Sequence, residues 1–71
     1  MNIEKAYAKR ELLSRKDLEQ LYQGLLDELV RYRRAIQNYP PERMEKYGEP
    51  FLKRLEGRIS EVEALLTTSA V

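Results

Sequence analysis

Catalysis needs nucleophiles, proton carriers or metal ligands, and this chain is short of all three. Its 71 residues include no cysteine and no histidine. That removes the thiolate, the imidazole base and the commonest metal ligands together. The serines have no histidine to deprotonate them, so a Ser-His-Asp arrangement cannot form within the chain. Gly24, Gly48 and Gly57 are isolated, so there is no glycine-rich phosphate loop. Glu42, Glu45 and Glu49 could share one side of a short helix and hold a hard cation, but such glutamates are normally a solvated face. Glu61 and Glu63 are not neighbours on a helix face. The expectation is a protein that is not an enzyme, with no cofactor and no metal.

Two constellations could serve binding instead. Arg31, Arg33 and Arg34 surround Tyr32, as basic and aromatic residues do in nucleic-acid binders. The same arginines also suit the negative end of a helix dipole, with Asp27 spaced to pair with Arg31, and this second reading is favoured. Residues 1 to 39 hold eight basic and six acidic side chains, a thin local excess even with Lys9, Arg10, Arg15 and Lys16 counted. The other constellation is aromatic: five tyrosines against one phenylalanine and no tryptophan. Tyr22, Tyr32 and Tyr39 offer apolar area with a hydroxyl that prefers a wet rim, which suits an interface and equally the edge of a small core.

The element that must carry these residues is a helix over 15–39. Leu18, Tyr22, Leu25, Leu29, Tyr32, Ile36 and Tyr39 recur at steps of four and three, an unbroken heptad seam. Leu21, Leu26 and Val30 widen it into the face of a bundle helix. Gly24 lies off the seam, where it either admits a close neighbour or is a tolerated surface glycine. Before this helix, Ile3, Ala6, Tyr7, Leu12 and Leu13 can form a separate face over 1–13. Ser14 with Asp17 three positions on reads as a capping box, which predicts a break there; a single helix kinked at Ser14 is the alternative.

Tyr39-Pro40-Pro41 ends the long helix, since the residue before a proline leaves the α region. The connection, 40–49, carries a short helical turn starting at Pro41 and capped by Gly48, with Met44 and Tyr47 facing inward. The last helix, 50–66, starts at Pro50 and bears Leu52, Leu55, Ile59, Val62 and Leu66, flanked by Phe51 and Leu65, with Glu49 and Lys53 spaced to pair. Residues 67–71 should fray.

The fold class expected is therefore all-α: an antiparallel two-helix hairpin, coiled-coil-like, with a short N-terminal helix. The long helix outreaches the last by a turn or two and has the wider apolar face. That mismatch calls for completion by oligomerisation, as a homodimeric four-helix bundle, or by a larger helical partner. Leu21, Tyr22, Leu25, Leu29, Tyr32, Leu55, Ile59 and Val62 are the candidate partner-binding residues. With 13 basic and 12 acidic residues the net charge of +1 makes no general case for nucleic acid or an anionic membrane. No apolar run approaches the ~20 residues of a membrane span, the start lacks the apolar core of a secretory signal, and the absence of cysteine fits a cytoplasmic setting.

Leu21, Leu25 and Leu29, the Arg33-Arg34 pair, the Pro40-Pro41-Glu42 connection and Leu55-Glu56-Gly57 together resemble the small co-chaperones of type III secretion needle subunits. The resemblance covers roughly 18–66. Pro50 departs from it, because the resembling proteins look continuously helical there. It implies a cytoplasmic adaptor that joins a larger, tetratricopeptide-like helical co-chaperone and helps keep an aggregation-prone needle subunit soluble before export. A small regulator contacting nucleic acid or a nucleic-acid enzyme, and a structural subunit of a phage or secretion assembly, are the alternative readings.

Overall fold

The structure, a computed structural model, describes residues 2–68. The chain is all-helical. Helix α1 (Ile3–Ala8) is followed by a 3-10 turn (Arg10–Leu12) and helix α2 (Arg15–Ala35). After a turn come α3 (Pro41–Arg43), a π-helical segment (Met44–Gly48) and α4 (Glu49–Thr68). Contacts between Arg15 and Leu66, Tyr22 and Glu63, and Arg33 and Glu56 run in opposite sequence directions, so α2 and α4 form an antiparallel hairpin.

Local chemistry sets each boundary. Asn2 caps α1, its Oδ1 accepting from the Lys5 N–H at 3.1 Å. Ser14 caps α2, its Oγ accepting from the Asp17 N–H at 3.2 Å. Leu13 and Ser14 are extended, so α1 and α2 are separate helices and not one kinked rod. The α2 helix closes at Ala35, four residues short of the expected Tyr39. Its Ile36 cap donates to Tyr32, and Tyr39 N–H reaches back to Ile36 at 3.0 Å in a turn. Tyr39 is thereby outside the helix, half-buried, with the Arg43 guanidinium 4.7 Å above its ring.

The second half of the chain departs further from expectation. No helix starts at Pro50, and Gly48 is not a cap. Helical structure runs from Pro41 to Thr68 without a break, and the Glu49 N–H bonds back five residues to Met44. Pro50 has no N–H for the carbonyl four residues earlier and its ring presses on that turn. The widened π turn just ahead of it carries the helix past that obstacle. Gly48 is buried, and a Cβ there would lie 2.5 Å from Met44 Sδ, so the glycine makes room for that thioether. The C-terminal end is also longer than 66: Thr67 and Thr68 stay helical, their hydroxyls donating to the Glu63 and Ala64 carbonyls at 2.9 and 2.7 Å. The expected fraying of residues 69–71 lies outside the described residues.

These shifts reverse the expected length mismatch. The three residues of α3, five of the π segment and 20 of α4 together outrun the 21 of α2. The wide face of α2 is covered from another direction, by α1. Leu18, Leu21, Leu25, Leu55, Ile59 and Val62 form the core with Ala6 of α1 among them. Of the residues that broaden the seam, Leu21 goes wholly inside, Leu26 is half-buried at an edge, and Val30 is 52% exposed. Gly24 admits a close neighbour: a Cβ there would sit 3.1 Å from Ile3 Cδ1.

Gly57 is different, since nothing lies within 4 Å of where its Cβ would be and it is exposed in mid-helix. Gly57→Ala should therefore stabilise the fold by up to about 1 kcal/mol through helix propensity alone. Thermal unfolding should show a rise of roughly 4–8 °C per kcal/mol for a chain of this size; an unchanged or lower midpoint would refute the assignment.

Candidate protein-docking surface

The eight candidate binding residues divide into two groups. Leu21, Leu25 and Val62 have no exposure, and Leu55 and Ile59 retain 3% and 8%. These five are committed to the chain's own core. Tyr22, Leu29 and Tyr32 are half-buried and keep a surface edge. The Tyr22 hydroxyl donates to Glu63 at 3.2 Å, which raises the pKa of the phenol because the bond exists only in the protonated form.

The surface that remains apolar is concentrated near the turn end of the hairpin. Tyr32 and Phe51 stack with ring centroids 4.3 Å apart and planes tilted by 34°. Phe51 is 37% exposed and Tyr47 58%. The expectation that Tyr47 faces inward is thus corrected, while Met44 is half-buried. Phe51 was legible only as a residue flanking the seam; its pairing with Tyr32 depends on the hairpin register. Leu12, at 85% exposed, sits apart on the 3-10 turn.

Helix α1 lies along the α2–α4 groove, held by Ala6 in the core, by Ile3 and Tyr7 packed against it, and by polar contacts at its edges. Glu4 accepts from Arg58 Nη1 at 2.8 Å, and Arg10 pairs with Glu61 at 3.3 Å. The Tyr7 ring is sandwiched between the guanidinium carbons of Arg10 and Arg58, at 4.3 and 4.6 Å, and its hydroxyl donates to Glu61. Ion pairs this exposed contribute about 0–1 kcal/mol each. Ala6 is the one buried residue of α1.

The hydrogen bond to Glu61 raises the Tyr7 pKa, with burial and the Glu61 charge adding to it and Arg10 and Arg58 opposing. A raised phenol pKa stabilises the folded state fully below about pH 10, the ordinary tyrosine value, and that contribution is lost as pH rises through the higher folded value. The difference in tyrosinate absorbance between the native chain and Tyr7→Phe during alkaline titration isolates Tyr7 and should show it ionising above the ordinary tyrosine value. If that difference titrates at the ordinary value, the Tyr7–Glu61 bond does not persist in solution. The Arg58 guanidinium is held charged more firmly than usual by its bond to Glu4.

Several of the basic residues are engaged with acidic neighbours. Arg33 points to Glu56 at 3.9 Å, Arg15 bonds Glu19 at 3.3 Å, and Arg10 is taken by Glu61. Asp27, expected to pair with Arg31, accepts from Gln23 Nε2 at 3.2 Å. Arg31 and Arg33 project about 200° apart around α2. Nor are Glu42, Glu45 and Glu49 brought together: no cluster of three or more potential metal ligands occurs among the described residues. Among the same residues no helix is long and apolar enough to cross a membrane. What the geometry leaves exposed is a set of aromatic and aliphatic edges framed by charged side chains. Comparison with protein-family models, curated proteins and solved structures found no match to this chain.

Proposed function

We propose that this chain is a non-enzymatic adaptor that binds another protein along its helical hairpin. The observation that carries this reading is surface in excess of what the mass requires. The accessible area is 5432 Å², against about 4,600 Å² for a compact monomer of 8.4 kDa. The radius of gyration is 13.7 Å, where about 11 Å is usual for this length. The molecule is a rod of 45 × 19 × 17 Å whose turn end exposes Phe51 and Tyr47. Chains this small generally gain stability from association when disulfides and metals are not used.

The partner we favour is a larger helical protein in the cytoplasm, as for the needle-subunit co-chaperones of type III secretion. Two features support this choice: the hairpin with its short N-terminal helix, and helical structure that runs on through Pro50. The test is affinity capture from the native host, followed by light scattering of the reconstituted complex. A stoichiometric complex with one helical protein is expected. A chain that stays monomeric alone, with an unfolding midpoint independent of concentration, and that captures no stoichiometric partner would overturn the reading.

A further inference from the structure

We propose that the flank of α2 turned away from α1 is a self-association surface, on which the α2 helix of a second copy of this chain lies antiparallel. The proposal goes beyond the adaptor reading and does not depend on it.

Helix α1 sits over Gly24, where Ile3 Cδ1 would crowd a Cβ. Leu26 and Val30 project about 160° and 120° away from that position around α2. They therefore lie on the flank that α1 does not cover. Glu19, Gln23, Leu26, Val30 and Arg33 recur there at steps of four and three, a second heptad stripe beside the one that builds the core. Leu26 is half-buried, and the other four are exposed, Val30 at 52%. The two aliphatic residues fall at the middle of the stripe and the polar ones to either side. A two-fold axis between Leu26 and Val30 sets each chain's Leu26 against the other's Val30, so one patch completes itself.

Charge selects the occupant and its direction. Residues 31–54, which form the turn end of the rod, hold seven basic and three acidic side chains, a net charge of +4. The rest of the chain holds six and nine, a net charge of −3. Parallel rods would set like ends together, whereas antiparallel rods set each positive end beside a negative one. Along the stripe itself, Arg33 and Arg34 of one copy come within about a turn of the other's Glu19. The area is also of the right size. The chain exposes about 800 Å² more than a compact monomer of its mass, and one side of a standard interface buries about 800 Å². Only two aliphatic residues per copy anchor the contact, so the dimer is expected at concentrations on the order of 100 µM, above those of an unfolding experiment.

Sedimentation equilibrium of the full chain over a wide concentration range reads the association. A monomer–dimer equilibrium is expected, weakened by added salt because opposite charges face one another. Val30→Glu, at an exposed position, should keep the helical circular dichroism and weaken the dimer at least about tenfold; Gly57→Ala, elsewhere on the surface, should leave the dimer unchanged. The chain has no cysteine, so an introduced one is unique. In the antiparallel arrangement residue 23 of one copy faces residue 33 of the other, and the two residues 23 lie about 15 Å apart. Oxidising a mixture of Gln23→Cys and Arg33→Cys chains should therefore give chiefly the mixed disulfide. A chain that is monomeric at every concentration, a dimer indifferent to Val30→Glu, or oxidation that gives chiefly like-with-like disulfides would overturn the proposal. If the chain alone is monomeric and Val30→Glu instead abolishes capture of a different protein, the flank belongs to that partner: this inference fails and the adaptor reading stands. A dimer with the mixed disulfide and no captured partner would do the reverse.

Discussion

Leu25→Ala should cost about 2–5 kcal/mol of folding free energy. Leu25 has no exposed surface and lies in the cluster where α1, α2 and α4 meet. Truncation removes apolar contacts on several sides, and helices joined by fixed turns collapse only partly into the space. Domains gain only about 0.05–0.15 kcal/mol per residue in net stability, so the loss is a large share of the total for a chain of 71 residues. Urea unfolding followed by circular dichroism should show a much lower midpoint, with the native chain and Val30→Ala as controls. Val30 is 52% exposed, and its truncation should be close to neutral. Equal effects at the two positions would mean that the seam does not face the core as described.

Ala6→Asp should have a large effect of a different kind. Ala6 is 4% exposed within the same core. A carboxylate held there without a partner costs several kcal/mol in lost hydration. That penalty falls on a six-residue helix whose other fastenings are partly exposed, so the cheaper response is release of α1. Amide exchange over residues 3–8 should become fast while the middle of α2 and α4 stays protected. The denaturant slope should fall, because less surface is left to expose on unfolding. Retained protection in α1, or simultaneous loss everywhere, would show that α1 is an inseparable part of the core.

How much of this could be read from the residues follows from how local each determinant is. Ser14 with Asp17 announced the break before α2, because a cap is decided within one turn. The seam residues Leu18 and Leu25 and the stripe Leu55, Ile59 and Val62 are inside, since heptad spacing directly encodes a buried face. The limits of α2 and α4 were harder. Pro50 argued for a helix start, and only the widened turn ahead of it lets the helix continue. Glu4 with Arg58 and Tyr7 with Glu61 are 54 residues apart in sequence, so no periodicity could place α1 on the hairpin. For the same reason Leu21, off the heptad seam, was legible as apolar but not as covered from within. The split between core and docking surface depends on that one tertiary contact.

The π segment also has a geometric consequence. An inserted wide turn acts as a phase shift: residues ahead of it fall out of step with those behind it by about a quarter of a rotation. A single rod can then aim its two ends in different directions. Leu55, Ile59 and Val62 keep their bearing toward the core while Tyr47, only eight positions before Leu55, looks outward. Losing one residue between Met44 and Gly48 would bring the ends back into step, turning the aromatic tip without moving the stripe that holds the hairpin closed.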